Sequence, residues 1–338
     1  MAQETFQKPL ALILAGYDKP DRKTMIKRKK QIIEAYDGDE IFIGKNKFLQ
    51  DLAGKPVIQY ILDAVHGARR NGQPLYEKIY VYNDVQNFTD VIDTRKYDNL
   101  VVKQMTKSVG GHWRDFYFNH AEYGRRVDLF FGDTPRVTSA DVEWIHGEYD
   151  RILGKETDLR GVTSHVAFSI VEYEDMKDDN WLPHRIRFIK HGQNRGKLKA
   201  FVGFENFQAR VGNSTAIIKH RSMDQVIDRE VVNFFYNLRK ALTPNTFSKI
   251  LYYLWKAGRM DVIGQVKRKC LGEEHFYTSF LAVAEKVYKI DLSGFGGYIY
   301  HIKKNAAHWE NDIDGPKDLA AFRERMHAGN ASRPGFKK

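Results

Sequence analysis

Leu10-Ala-Leu-Ile-Leu-Ala-Gly16 is an unbroken apolar run closed by a glycine. A run this short and this apolar reads as a strand buried on both faces that feeds a loop. Outward from it, Val57, Ile58, Ile61, Leu62 and Val65 recur at helical spacing, and Pro56 suits the first turn of that helix. Lys78-Ile-Tyr-Val-Tyr-Asn83 predicts a second strand, 99–103 a short third, and Val127-Asp-Leu-Phe-Phe-Gly132 a fourth. Strands that alternate with helical segments imply a largely parallel sheet covered on both faces.

Beyond the fourth strand, Thr138 followed three residues later by Asp141 marks a helix start, and Val142, Ile145, Tyr149 and Ile152 continue one face. The stretches 165–172, 185–190, 199–204 and 215–219 read as further strands between polar turns. From 224 to 289 the pattern is almost wholly helical, punctuated by Pro244, Gly258 and Gly272. A strand at 298–302 and a closing helix at 316–327 complete the reading. The expected organisation is a core over 1–223, a helical insertion or subdomain over 224–290, a return of the core over 291–327, and a flexible tail over 328–338.

A formal net charge of +11 gives a surface that attracts anions without choosing among nucleotides, sugar phosphates, nucleic acid and acidic lipid headgroups. Part of the excess is local, in Lys19, Arg22, Lys23, Lys27, Arg28, Lys29 and Lys30. Such a cluster is either a solvated basic loop or a phosphate or nucleic-acid contact. Cys270 is the single cysteine, which excludes an intrachain disulfide and a zinc site built on cysteines. The N-terminus lacks the basic start and apolar stretch of a signal peptide, and no run reaches the ~18 apolar residues of a membrane span. A cytoplasmic enzyme is the expectation.

Three segments carry chemistry. The first is the strand and loop ending in Ala15 and Gly16, together with Lys47-Phe-Leu-Gln-Asp-Leu-Ala-Gly-Lys-Pro-Val-Ile58. Backbone N–H groups of a small-residue loop can approach phosphate oxygens, and a lysine supplies the countercharge. The second is Leu129-Phe-Phe-Gly-Asp-Thr-Pro-Arg-Val-Thr138, which puts Asp133 at the carboxyl end of a strand, where open α/β sheets bind ligands. The third is Asn311-Asp-Ile-Asp-Gly-Pro-Lys-Asp-Leu-Ala320, in which Asp312 and Asp314 precede the last helix. By local rules alone, Asp133 could cap a turn and Asp314 could cap a helix.

In this order the three segments resemble the nucleotidyltransferases of the glycosyltransferase-A fold, including the sugar-phosphate nucleotidyltransferases and the molybdopterin-guanine-dinucleotide-synthase-like group. The resemblance covers residues 10–133 loosely and 311–322 at the end. It implies a three-layer α/β/α fold with a mostly parallel, Rossmann-like sheet. It also implies transfer of a nucleoside monophosphate from an NTP to a phosphorylated small acceptor, a sugar-1-phosphate first, with release of pyrophosphate. By that pattern Lys47 is the phosphate lysine and Asp133 and Asp314 hold Mg²⁺, with Asp312 in reserve. Ala15, Gly16 and Lys55 face the nucleotide, and Ser108, Gly110 and Gly111 stand where relatives place a base-recognition loop, or form an ordinary turn. Asn213, with Glu205 as companion, corresponds to the acceptor side.

The chain departs from the pattern after Gly16, where Tyr17 stands in place of a second glycine and the loop to Lys47 is long. Arg22 or Lys23 takes the part of the family's arginine, or the loop serves as a lid or a partner contact. The helical stretch is a candidate lid over the acceptor or a homo-oligomer interface. His112 and His120 show no ligand spacing and read as surface or satisfied structural histidines. Two rivals remain. A glycosyltransferase of the same fold would carry Asp-x-Asp where this chain has Gly-Asp-Thr-Pro. A non-catalytic nucleotide- or nucleic-acid-binding protein would interleave aromatics with the basic cluster, which this chain does not do; nucleic acid is not an expected partner.

Overall fold

The run at Leu10–Leu14 forms strand β1, and all five residues are buried. That is why the segment is apolar at every position rather than at alternate ones: both faces of a central parallel strand meet helices. The computed structural model describes residues 7–17, 42, 45–172, 174–176, 202–203, 208–228, 244–268, 273–310, 312–313 and 315–331. The strand expected at 185–190 lies outside them, as do Arg22, Lys23, Glu205 and Asp314 and most of the loop between Tyr17 and Asn46.

Helix α1 (Val57–Gly67) follows, then β2 (Lys78–Asn83), α2 (Val85–Val91), β3 (Leu100–Gln104), α3 (Val109–Asn119), β4 (Arg126–Phe131) and α4 (Ser139–Ile152). The second half adds β5 (Ser164–Glu172), β6 (Val202–Gly203), β7 (Gln208–Ile218), α5 (Asp224–Asp228), α6 (Pro244–Ala257), α7 (Asp261–Arg268), α8 (Glu273–Lys286), β8 (Gly296–His301) and α9 (Pro316–Ala331). The closing helix therefore runs into the stretch expected to be tail. The main sheet has the order β8-β5-β7-β4-β1-β2-β3, with β6 paired to β7. Along that order only β7 runs against its neighbours.

Two apolar layers cover the sheet. On one face Ile58, Ile61, Phe88, Val142, Ile145 and Tyr149 of α1, α2 and α4 pack on Ala11, Ile13 and Phe130. On the other, Trp113 and Phe116 of α3, Val226 of α5 and Tyr277 and Leu281 of α8 pack on Leu10, Leu12 and Leu14. The three-layer α/β/α fold implied by the motifs is the fold the chain adopts. Helix α6 lies further out: its Leu254 and Ala257 pack with Val283 of α8 and Ile170 of β5.

Helix α4 shows how local chemistry sets a boundary close to the site. The Thr138 hydroxyl accepts from the Asp141 N–H, and the Asp141 carboxylate accepts from the Thr138 N–H at 2.9 Å. This capping box satisfies two donors that a bare helix end would leave open, a gain of about 1 kcal/mol.

Candidate functional site

The strand order locates the site before any side chain is considered. Chain connections leave β1 toward β2 and β3 on one side, while β4 lies on the other, so the β1/β4 boundary is the topological switch point of the sheet. Ligand crevices in open α/β sheets form outside the carboxyl ends of the strands at such a point. Leu14 is in register with Phe131, and the Gly132 N–H donates to the Leu14 carbonyl at 3.0 Å. Ala15-Gly16 and Gly132-Asp133 thus leave the sheet side by side.

Lys47 reaches that crevice from a short 3-10 turn, Lys47–Leu49. Phe48 is buried and anchors the turn against Gly132, where a side-chain carbon would come within 3.0 Å of the Phe48 ring. A glycine at 132 is what lets the turn sit so low. Leu52, fully buried with Val57, Ile313, Leu319 and Phe322, fixes the other end of the segment to α9. So held, the Lys47 ammonium donates to Oδ2 of Asp133. Both side chains are mostly shielded from water, at 17% and 9% exposure, so the pair is closer to a buried ion pair than to a surface one. The Phe48 anchor draws the Lys47 side chain inward.

The C-terminal motif docks on the same aspartate. The Ile313 N–H donates to the Asp133 carbonyl at 3.1 Å, which carries the buried Asp312 into the neighbourhood. A second tie reinforces it from Asp141, whose carboxylate accepts from the Asn305 amide and lies 2.8 Å from Nδ1 of His308. Burial raises the Asp141 pKa, but the bonds from His308, Asn305 and Thr138 outweigh it and hold the carboxyl at about 2. Asp141 thus caps α4 and clamps the segment that leads to Asp312.

Gly16 meets the start of α3. A side-chain carbon on Gly16 would fall 2.0 Å from Cε1 of His112, so the imidazole takes the space that any other residue at 16 would need. His112 is buried, and neither ring nitrogen makes a well-formed hydrogen bond among the described residues. Burial pushes its pKa down to about 4, against a weaker upward pull from the Thr106 backbone. The reading of His112 as a surface or satisfied histidine is therefore corrected; one turn of helix carries it under the first loop. Ser108, Gly110 and Gly111 are neither a loop nor an ordinary turn. Ser108 caps α3, its hydroxyl accepting from the Gly111 N–H at 3.0 Å, and the two glycines form the first helical turn.

Asn83, which the sequence reading passed over, ties the pieces together. It is fully buried at the carboxyl end of β2, donates to the Ala15 carbonyl at 2.7 Å, and accepts from the Asn46 amide at 2.7 Å. The first loop and the Lys47 turn are thereby held through one side chain. A polar residue closing an otherwise apolar strand was the available signal. Asn213 is buried on β7, one residue beyond the Ser214–Phe130 pair, which puts it at the Asp133 end of β4. Its amide nitrogen has no hydrogen-bond partner among the described residues. Lys55 is not brought to this group by any described contact; its ammonium lies 3.0 Å from Asp63 and over the Tyr60 ring.

The donor set suits a hard divalent cation. Asp133 offers carboxylate oxygens at a strand end, and the ammonium resting on it marks a position where positive charge is held. Among the described residues no three His, Cys, Asp or Glu side chains gather into a cage, so any cation here would take part of its shell from a ligand or water.

No protein-family model matches the sequence, and no curated protein matches it. A hypothetical transferase from Thermus thermophilus superimposes with a TM-score of 0.54 at 13% identity, over 93% of this chain and 100% of that one. The chain shares that fold. A CMP:2-keto-3-deoxy-manno-octonic acid synthetase complexed with CTP matches at a TM-score of 0.44 and 12% identity, over 96% of this chain and 100% of that one. A 4-diphosphocytidyl-2C-methyl-D-erythritol synthase from Anaerococcus prevotii matches at 0.46 and 8%, over 95% of this chain and 96% of that one. At these identities the likeness concerns the backbone, so the chemistry rests on this chain's own residues.

Proposed function

We propose that the protein is a nucleotidyltransferase, which moves a nucleoside monophosphate from an NTP to a phosphorylated small acceptor and releases pyrophosphate. The observation that carries the reading is the Lys47 ammonium on the Asp133 carboxylate at the switch point of the sheet. Opposite charges joined across the crevice are what a triphosphate needs: one holds phosphate oxygens, the other holds the cation that neutralises them. A sugar-1-phosphate is the acceptor class we favour.

In the reaction an acceptor phosphate oxygen forms a bond to the α-phosphorus as the bond from that phosphorus to the β-phosphate oxygen breaks. The attacking oxygen is already an anion, so positioning and charge neutralisation matter more than proton transfer. Lys47 steadies the phosphates and the leaving pyrophosphate. The backbone at Ala15 and Gly16 lies along the triphosphate, and the first turn of α3, with Ser108, Gly110 and Gly111, faces the nucleoside. Asn213 offers its amide to the acceptor. Magnesium held by Asp133 with Asp312 or Asp314 would neutralise charge at the α-phosphate.

The test is a matrix of the four NTPs against phosphorylated acceptors, with pyrophosphate release as readout. Turnover that chelator abolishes without unfolding the protein is expected. Transfer of a glycosyl group from a nucleotide sugar, with no pyrophosphate from any NTP, would overturn the reading.

A further inference from the structure

Helix α6 presents two faces of different character. Inward, Leu254 and Ala257 are buried against α8 and β5. Outward, Trp255 is 67% exposed, Tyr252 49%, and Met260, just past the helix end, 45%. Leaving an indole in water forgoes the burial that makes Trp a core residue, so a cluster of this kind on an amphipathic helix signals a partner. The Tyr252 and Trp255 rings lie 6.2 Å apart, and the Lys256 ammonium stands 5.8 Å from the Tyr252 ring. Exposed Lys249 falls on the same stripe, three residues before Tyr252 and seven before Lys256.

Charge identifies the partner. Between Arg239 and Cys270 the sequence has eight basic residues and one acid, Asp261. That acid is already matched within the protein, by His275 at 2.7 Å and Arg259 at 3.5 Å. The stripe therefore offers aromatic and thioether groups beside Lys249 and Lys256, neither of which pairs with an acid among the described residues, on the outer side of a helix. Nucleic acid binding asks for a groove that tracks the backbone between stacking platforms. A bilayer surface asks only for a convex amphipathic face whose Trp and Tyr settle at headgroup depth while lysines meet lipid phosphates. No described helix is long and apolar enough to cross a membrane, so the attachment would be peripheral.

We propose that the outward face of α6, through Tyr252, Trp255 and Met260 with Lys249 and Lys256, docks the protein on an anionic lipid bilayer. The full chain should co-sediment with vesicles of equimolar phosphatidylcholine and phosphatidylglycerol, and not with phosphatidylcholine alone. Raising salt should weaken the association, because the lysine term is screened within a Debye length. Trp255→Ala and the pair Lys249→Glu, Lys256→Glu should each lower vesicle affinity by roughly tenfold or more. Neither should shift the melting temperature appreciably, since these side chains lie on the surface. Three results overturn the proposal: no binding to anionic vesicles; vesicle binding that both variants retain; or a Trp255-dependent association with an oligonucleotide or a second copy of the chain, by anisotropy or sedimentation, in place of vesicle binding.

Discussion

The ammonium of Lys47 and the carboxylate of Asp133, 86 residues apart in the chain, form one ion pair at the carboxyl ends of β1 and β4. If Lys47 neutralises charge on the triphosphate as the bond at the α-phosphorus breaks, Lys47→Ala should lower kcat by roughly 10²-fold or more. Because the pair is largely shielded, the variant also leaves Asp133 without its partner, and a stability loss of roughly 1–3 kcal/mol is expected. Steady-state kinetics and a urea titration on the same preparation separate the two effects. Unchanged turnover in a folded Lys47→Ala protein would make the pair structural.

Gly16 and His112 compete for one space. Gly16→Ala places a methyl group where the imidazole sits and should destabilise the protein by about 1–3 kcal/mol. If the clash is the cause, His112→Ala should relieve it, so that the double variant costs less than the sum of the single ones. A denaturation cycle over the four proteins measures this. Strict additivity would mean that the loop around Gly16 avoids the ring by moving.

If Asn213 meets the acceptor as proposed, its replacement separates acceptor binding from folding. Its buried amide nitrogen makes no bond among the described residues that Asn213→Ala would remove, so stability should stay within about 1 kcal/mol of wild type. The acceptor KM should rise several-fold while the NTP KM stays put. Equal effects on both substrates would detach Asn213 from the acceptor side.

The legibility of this chain follows from how local each signal is. β1 and β2 were readable because burial on both faces writes itself as an unbroken apolar run, and the Thr138–Asp141 cap because both partners sit within one turn. β7 starts seven residues earlier than its expected Thr215, since a register shift between Val211 and Thr215 breaks the alternation that marks a strand. Helix α3 was missed because Gly110 and Gly111 open it like a turn, although Trp113, Phe116 and Tyr117 carry a helical face. In the site, Lys47 and Asp133 stood within recognisable motifs. Asn83, His112 and the clamp of Asn305 and His308 on Asp141 did not, because each acts on a residue far away in sequence.

That clamp has a consequence at low pH. The Asp141 carboxyl, ordinarily near 3.8, sits at about 2 in the folded protein. A carboxylate whose folded pKa is depressed adds stability that is fully present above the unfolded value and fades as pH falls through the folded one. For Asp141 the window runs from pH ~4 down to ~2, and the contribution is about 2 kcal/mol. The buried Asp128, pushed up by burial but held at about 2 by Arg126 and His146, titrates in the same window. Wild type should therefore lose more stability between pH 4 and 2 than Asp141→Asn, which keeps only the share due to Asp128 and other groups. Urea midpoints at half-unit pH steps read this directly. At neutral pH the same variant loosens the segment leading to Asp312, so kcat should fall roughly tenfold with KM for NTP little changed. Parallel acid profiles for the two proteins would show that the bonds from His308 and Asn305 do not favour the ionised carboxylate, and the clamp would lose its role in holding Asp312 beside Asp133.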